Sequence, residues 1–296
     1  MDATVEVPGP WTHRHVAANG ARFHVAEVGS GPLVLFLHGF PEFWWAWRDQ
    51  LVALADAGYR AVAMDLRGYG SSDKTPNGYD PTTLARDAVG VIRSLGARDA
   101  VLVGQSWGGY VAWAAAAMHP VHVRGLATVA AAHPLRLGSL LRSRRLSRHL
   151  FGMQAPWFPE RHIRAHDSRY VEALLRSWAA PGGSFPDAEA VSRYRAAMAL
   201  WPSPHCALEY HRWVIRSRVR TDGRRFATAM RSPVAVPVLQ VLGAQDGVVR
   251  EGAAQIPRSV VTGPSETVVL ESSGHFPHEE CPDEFTKTLL DWLARC

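Results

Sequence analysis

Ser106 lies at the centre of a Gly-Gln-Ser-Trp-Gly motif at residues 104–108. An apolar run at 100–103 precedes the motif, and a run of mostly small residues at 109–117 follows it. This order predicts a strand, a sharp turn and a helix, which is the setting in which Gly-x-Ser-x-Gly forms a nucleophile elbow. There the serine is strained and exposed at the helix N-terminus, and the glycines leave space where a Cβ would clash. We predict that Ser106 is a covalent nucleophile.

A serine hydroxyl is a weak nucleophile, so it needs a base that is itself oriented by an acid. Asp246 follows an apolar run at 238–242, and His275 follows another at 267–270. Taken singly, the first is typical of a turn residue and the second is one of fourteen histidines. The carboxyl ends of parallel strands lie at one edge of a sheet, however, so we predict a triad of Ser106, Asp246 and His275.

A turn of sequence His-Gly-Phe-Pro at residues 38–41 follows the apolar run 33–37. We predict that the backbone amides of Phe40 and Trp107 form an oxyanion hole, because acyl transfer needs donors aimed at the developing negative charge. His38 in the same turn and Trp44 just beyond it are predicted to contact substrate.

The elements that must position these residues are predicted strands and helices that alternate along the chain. A segment at 16–28 with Asn-Gly in its middle predicts an antiparallel hairpin. Strands separated by helices then predict βαβ units and a parallel sheet. The predicted strands are 33–37, 61–64, 100–103 and 123–131, and the predicted helices between them are 44–57, 83–95 and 109–117.

The alternation of strands and helices is interrupted over residues 133–232, which show no clear strand. It resumes with predicted strands at 238–242 and 267–270 and a predicted helix at 283–294. We predict a core domain of residues 1–132 and 233–296 and a helical cap of residues 133–232. Insertions after a sheet strand tend to lie at its carboxyl edge, which would place the cap over Ser106. Four tryptophans in the cap indicate either an apolar pocket or packing between cap helices: Trp157, Trp178, Trp201 and Trp213.

Composition limits the possible partners. The chain has 296 residues, 47% of them hydrophobic, which is enough to bury one large core. The net charge of +5 comes from arginines interspersed with acidic residues, which argues against a nucleic-acid surface. The basic stretch at 136–148 is typical of a solvated helix face, with an anionic lipid or acidic partner as the alternative.

Three cysteines at irregular spacing indicate neither a disulfide framework nor a zinc site. Residues 1–11 carry no apolar core of signal-peptide length, and no uncharged apolar run of about 18 residues occurs. The histidine pairs at 13 and 15 and at 119 and 122 lack further ligands for zinc, and no phosphate-binding glycine motif is present. We predict a cytoplasmic monomer or homodimer without a membrane span, acting on a small molecule without a metal or other cofactor.

With these motifs in place, the chain resembles the α/β-hydrolase superfamily and, within it, the epoxide hydrolase family. The resemblance extends over the whole chain, and its motifs are His-Gly-Phe-Pro-Glu at 38–42 with Trp-Trp at 44–45, Asp-Leu-Arg-Gly-Tyr-Gly at 65–70, Trp-Gly-Gly-Tyr at 107–110 and Gly-His-Phe-Pro-His-Glu at 274–279. It implies an α/β-hydrolase fold with a helical cap. Epoxide hydrolases have an aspartate at the position of Ser106, preceded by a histidine where this chain has Gln105.

Epoxide hydrolases also use two cap tyrosines to protonate the epoxide oxygen. The resemblance places these positions on His149 and His211, or on Tyr210 if the second is displaced by one residue. We predict that these side chains contact substrate. Because an imidazole titrates near pH 6.5, either histidine could hydrogen-bond a leaving or ring oxygen, or be an ordinary cap residue.

The nucleophile decides which bond can be cleaved. An aspartate that opens an epoxide becomes an ester that water can hydrolyse, whereas a serine would become an alkyl ether that water cannot cleave; the same reasoning excludes haloalkane dehalogenase chemistry. We therefore predict a serine hydrolase that cleaves a carboxylic ester or lactone of a small, largely apolar substrate through an acyl-enzyme. One alternative is an epoxide hydrolase-like, acyl-transferring or ring-forming enzyme. The other is a small-molecule receptor with a residual triad.

Overall fold

A computed structural model describes residues 4–296. Residues 1–3, which belong to the predicted core segment 1–132 and to the N-terminal segment 1–11, lie outside the described part. Strands of the described residues form one eight-stranded sheet. They are β1 (Thr12–Ala18), β2 (Ala21–Val28), β3 (Leu33–Leu37), β4 (Arg60–Met64), β5 (Ala100–Gln105), β6 (Val123–Val129), β7 (Val238–Gly243) and β8 (Ser265–Leu270).

The strand order across the sheet is β1-β2-β4-β3-β5-β6-β7-β8. β2 pairs antiparallel with both β1 and β4, and all the pairings from β4 through β3 to β8 are parallel. The structure thus confirms the predicted α/β-hydrolase fold, with a mostly parallel sheet and an antiparallel N-terminal edge.

Burial explains why the sequence pattern differs between the edge and the centre. All residues of β3 and β5 are buried, as expected for parallel strands covered on both faces, and both read as continuous apolar runs. β1 has only two buried residues, because one of its faces is open. Asn19 and Gly20 join β1 to β2 as a two-residue loop with positive φ angles of 45° and 75°, which is the backbone that an Asn-Gly hairpin turn provides.

Helices cover the sheet where the sequence predicts them, with shifts at their ends. The predicted helix at 44–57 begins as a buried 3₁₀ turn (Trp44–Trp47) and continues as α1. α2 begins two residues earlier than predicted, because the Asp80 side chain accepts a hydrogen bond from the Thr83 amide (3.0 Å) and Pro81 suits the first helical position. The first three helices are α1 (Arg48–Asp56), α2 (Pro81–Ser94) and α3 (Trp107–Met118).

Residues 133–232 contain helices and no strand, and we call this segment between β6 and β7 the helical insertion. Its helices are α4 (Leu137–Leu140), α5 (Arg144–Gly152), α6 (Phe158–Trp178), α7 (Ala188–Ala199), α8 (Ser203–Arg216) and α9 (Thr221–Ala229). The remaining helices are α10 (Glu251–Ala254), α11 (Pro277–Glu280) and α12 (Pro282–Leu293). The insertion leaves the sheet after β6, so it begins at the carboxyl edge of the parallel strands.

No helix among residues 4–296 is both long enough and apolar enough to cross a bilayer. No group of three histidine, cysteine, aspartate or glutamate side chains in this range is arranged to hold a metal ion. Of the histidines considered above, His13 lies 2.9 Å from the ring of His24, and His122 lies 2.8 Å from the Arg98 carbonyl oxygen.

Candidate active site

Ser106 sits on the sharp turn between β5 and α3. Its backbone has φ 47° and ψ −111°, a conformation that non-glycine residues rarely adopt and that stores strain. The Ser106 amide donates to the Val129 carbonyl of the neighbouring strand (3.0 Å), and its own carbonyl accepts from the Tyr110 amide in the first turn of α3 (3.0 Å). The strained serine is therefore held by backbone hydrogen bonds to the sheet and to the helix.

Two glycines make this turn possible. A Cβ on Gly104 would lie 2.4 Å from the Gly108 carbonyl oxygen, and a Cβ on Gly108 would lie 2.0 Å from the carbonyl oxygen of Leu37. Both contacts are with backbone, which cannot move aside as a flexible side chain could. The spacing in the motif thus reflects how closely α3 approaches β5 and the end of β3.

Asp246 and His275 form a buried pair beyond the ends of β7 and β8. The His275 Nδ1 lies 2.8 Å from the Asp246 Oδ2, and both side chains are almost fully shielded from solvent. The other aspartate oxygen, Oδ1, accepts from the amides of Val248 (2.6 Å) and Val249 (2.9 Å). Since a carboxylate only accepts, His275 Nδ1 carries the proton and Nε2 offers a lone pair. This Nε2 has no hydrogen-bond partner within residues 4–296.

A glutamate not identified from the sequence holds the histidine loop in place. The Glu280 Oε2 accepts from the amides of Gly274 (2.9 Å) and Ala180 (2.7 Å), and its Oε1 accepts from the Phe276 amide (2.8 Å). One carboxylate therefore joins both sides of His275 to the end of α6. The signal for it in the sequence is weak, because it is only an acidic residue in the short helix α11.

Gln105 and Trp178 also contact the histidine directly. The Gln105 side chain donates to the His275 carbonyl oxygen (2.9 Å), and the His275 amide donates to the Trp178 carbonyl oxygen (3.0 Å). The Trp178 ring meets the His275 ring edge-on, with centroids 5.0 Å apart. From sequence alone, Gln105 differed from the histidine of epoxide hydrolases and Trp178 was one of four tryptophans in the predicted cap. Neither observation indicated these contacts.

Ser106 and His275 line the same cavity of about 70 Å³, together with Phe40 and Trp107. The Trp107 amide is in the first turn of α3, where helical amides lack an intrahelical acceptor and are free to bind an oxyanion. Most other side chains around the cavity are apolar, among them Leu137, Leu140, Leu146, Leu150, Val214 and Val248. The space beside the serine thus suits an apolar group.

His211 reaches the cavity from α8, but both of its ring nitrogens are already engaged. Its Nδ1 lies 2.9 Å from the Ala207 carbonyl oxygen, and its Nε2 accepts from the indole nitrogen of Trp107 (3.1 Å). Burial lowers the pKa of His211 to about 4, which keeps the ring neutral. His211 therefore lines the cavity without a proton free for a leaving oxygen, which favours the alternative that it is an ordinary residue of the insertion.

His149 reaches the cavity from α5 and keeps one nitrogen available. Its Nδ1 lies 3.2 Å from the Tyr170 hydroxyl, while the buried Nε2 has no partner within the described residues. The His149 and His211 rings are in contact, with centroids 4.8 Å apart. Burial first, and then the proximity of His211 and His275, hold the pKa of His149 well below its usual value. Of the two histidines of the insertion that line the cavity, His149 is the one with a ring nitrogen left free for a further hydrogen bond.

The structure places three predicted substrate contacts away from the cavity lining. His38 is buried, with Nδ1 2.8 Å from the Gly39 carbonyl oxygen and Nε2 accepting from the Leu66 amide. The Trp44 indole donates to the Val5 carbonyl (2.6 Å). The Tyr210 hydroxyl donates to a backbone carbonyl in the loop after β4 (2.7 Å). These side chains anchor loops and do not line the cavity of Ser106, so their contact with substrate stays a prediction that this geometry does not favour.

The four tryptophans of the insertion have different surroundings. Trp178 is buried and lines the cavity, whereas Trp157 and Trp201 are 83% and 60% exposed. Trp213 is partly buried, does not line the cavity, and meets the Phe226 ring edge-on. The apolar-pocket explanation therefore fits one of the four.

The family model described as alpha/beta hydrolase fold matches residues 32–282. The AB hydrolase superfamily protein YfhM of Bacillus subtilis is 31% identical over 290 residues, which cover 94% of this chain and 96% of that protein. Epoxide hydrolase A of Mycobacterium tuberculosis is 29% identical over 322 residues, covering 97% and 98% respectively.

Solved structures agree with these relatives. The crystal structure of epoxide hydrolase VrEH1 from Vigna radiata superposes with a TM-score of 0.84 at 26% identity, covering 97% of this chain and 98% of that one. The match extends over the sheet and the helical insertion alike. The chain belongs to the α/β-hydrolase fold family and is an enzyme with hydrolase activity whose homologues include epoxide hydrolases.

Proposed function

We propose that this enzyme is a serine hydrolase that cleaves a carboxylic ester or lactone of a largely apolar substrate through an acyl-enzyme. The observation that carries the proposal is the strained Ser106, which lines one cavity with His275, whose Nδ1 is bound to Asp246. In this proposal Ser106 takes the place of the aspartate nucleophile of epoxide hydrolases.

The reaction follows from the available atoms. His275 Nε2 accepts the proton of Ser106 Oγ as the oxygen attacks the substrate carbonyl, and the amides of Phe40 and Trp107 bind the resulting oxyanion. The tetrahedral intermediate then collapses, the bond to the alkoxide breaks, and His275 returns the proton to the leaving oxygen. Water attacks the acyl-serine by the same route, and the carboxylic acid and free Ser106 are restored. Asp246 keeps the imidazole in the tautomer that both steps need.

His149 would assist at the leaving group. When the Tyr170 hydroxyl donates to Nδ1, the His149 proton resides on Nε2, the unpartnered atom. A neutral imidazole in this tautomer can donate to the leaving or ring oxygen without bringing a charge into the apolar cavity. We infer that residues 133–232 act as a cap over a core of residues 1–132 and 233–296, since α5, α6 and α8 supply His149, Trp178 and His211 to the cavity.

The names of the relatives favour a second candidate, an epoxide hydrolase, and they support it better than they support ester cleavage. Two observations on this chain weigh against it. A serine that opened an epoxide would remain bound to the substrate as an ether. Fewer side chains could also protonate the epoxide oxygen, because Tyr210 is bound to a backbone carbonyl and His211 has no free proton. Acyl transfer and ring formation are alternatives that would use the same acyl-enzyme, and a small-molecule receptor with a residual triad is a separate alternative.

A pair of measurements decides between the two candidates. A fluorophosphonate is expected to label Ser106 in the wild type and to label nothing in Ser106→Ala, with the site identified by mass spectrometry of peptides. In parallel, products are followed with a styrene-type epoxide and with an activated ester under identical conditions. Sustained ester turnover that disappears in Ser106→Ala supports the proposal. Sustained diol formation, or no labelling of the folded wild-type protein, overturns it.

A further inference from the structure

A groove on the outside of the helical insertion runs between α5 and α6. Three arginines of α5 line it, and the aromatic side chains of Phe158 and Tyr170 line it from α6. The arginines are Arg144, Arg145 and Arg148. None of the side chains lining this groove is acidic.

The groove adjoins the cavity that contains Ser106. His149 and Trp178 line both spaces, so these two side chains form the partition between them. The unpartnered Nε2 of His149 belongs to this partition. A substrate whose reactive group lies at Ser106 would have to pass these two side chains to reach the groove.

The charge of the groove is uncompensated. All three groove arginines are exposed, and none forms an ion pair with an acidic side chain anywhere in residues 4–296. Other arginines of the insertion are paired, such as Arg195 with Asp167 (2.6 Å) and Arg212 with Glu160 (2.7 Å). The positive end of the α5 dipole lies beside the same arginines and adds to the positive potential. Arg145 donates to the Ser177 carbonyl oxygen (2.6 Å), so an anion would bind at Arg144 and Arg148 without breaking an ion pair.

We propose that the groove binds a carboxylate at the far end of the substrate, so that the substrate is an anionic ester with an apolar chain between the two groups. This inference rests on the proposed function for the position of the ester group. The cavity supplies the apolar surroundings for the chain, and the groove supplies guanidinium groups, which match a carboxylate in shape and charge. Because the arginines are exposed, the attraction is screened by salt.

The test compares two esters of equal chain length, the methyl ester of a straight-chain acid and the monomethyl ester of the corresponding dicarboxylic acid. In the wild type at low salt, we expect kcat/KM to be higher for the dicarboxylic half ester. Arg148→Glu and Arg144→Glu are each expected to lower the ratio of the two kcat/KM values by about five-fold, the upper range for an exposed charge pair. The difference should shrink as salt is added.

Arg98→Glu is the matched control, because Arg98 is exposed, has no ion pair within residues 4–296 and precedes β5 at the opposite edge of the sheet from Ser106. It should leave the ratio unchanged. A ratio near one in the wild type, or an equal fall in the ratio with Arg98→Glu, overturns the inference. Thermal unfolding of each variant checks that the fold is kept.

Binding to the inactive variant separates this inference from the proposed function. Ser106→Ala is titrated with both esters while tryptophan fluorescence is followed, since Trp178 lies on the partition. Tighter binding of the half ester that is lost on adding Arg148→Glu supports the groove even if no ester is hydrolysed. Equal binding of both esters rejects the groove even if ester hydrolysis through Ser106 is established.

Discussion

The two sides of the cavity hold their polar groups by different means. On the sheet side, Ser106, Asp246 and His275 lie on turns after strands, and backbone amides or carbonyls hold each of them. On the side of the helical insertion, His149 and His211 project from within helices. Ring contacts and neighbouring side chains hold both of them, and the only backbone group that binds either ring among residues 4–296 is the Ala207 carbonyl, which accepts from His211.

This difference separates the reaction from the choice of substrate. Backbone hydrogen bonds fix a catalytic group within a narrow geometry, which general-base chemistry requires. Ring contacts allow side chains to change while the helices remain, so the insertion can vary the shape and charge of the cavity. We therefore expect substitutions on the sheet side to act on kcat and those on the insertion to act mainly on specificity and stability.

The largest effect is expected on the sheet side, from Asp246→Asn. The asparagine amide would donate towards His275 Nδ1 and favour the tautomer that cannot accept the serine proton. Steady-state kinetics should show kcat lower by about ten-thousand-fold, with little change in the unfolding temperature. A loss below ten-fold would mean that the aspartate does not orient the base, and that the two sides of the cavity do not differ as described.

A smaller effect is expected on the insertion side, from His149→Phe. Removing the free imidazole nitrogen should lower kcat for an alkyl ester by about ten-fold, the value of one hydrogen bond of about 1.4 kcal/mol. An activated ester with a good leaving group should be less affected, because its leaving oxygen needs no proton.

Tyr210→Phe is the matched control on the same side of the molecule. It removes the hydroxyl that donates to a backbone carbonyl and should lower the free energy of unfolding by about 1 kcal/mol while kcat is kept. If Tyr210→Phe lowers kcat and His149→Phe does not, the assignment of the leaving-group donor to His149 is wrong.

A last contrast between the two sides concerns stability rather than rate, through its dependence on pH. Burial lowers the pKa of His211 in the folded state to about 4, below the value of about 6.5 expected when the chain is unfolded. Between these values the unfolded chain binds more protons, so the free energy of unfolding falls as the pH falls, by at most about 1.4 kcal/mol per pH unit from this group. Chemical denaturation from pH 7 to 4 should show a shallower fall in His211→Phe than in the wild type. An identical slope would contradict the buried neutral state.

Local signals in the sequence were sufficient to place the strands and turns on the sheet side. The apolar run of β3 coincides with the predicted strand, and the turns that carry Asp246 and His275 follow strands as predicted. A buried parallel strand needs a continuous apolar run and a turn needs its glycine, so both leave a pattern that neighbouring residues reveal.

The composition and spacing of residues alone determined the α/β fold, the strained serine turn and the order in which its partners follow along the chain. Only the tertiary structure decided which polar side chains face the cavity. His38, Trp44 and Tyr210 lie close in sequence to residues at the cavity, yet their polar atoms bind backbone carbonyls or amides elsewhere. Glu280, which braces the histidine loop, has no distinctive sequence signal. The reason is physical: the direction of a side chain depends on how helices distant in sequence pack against the sheet, and local propensity does not encode that packing.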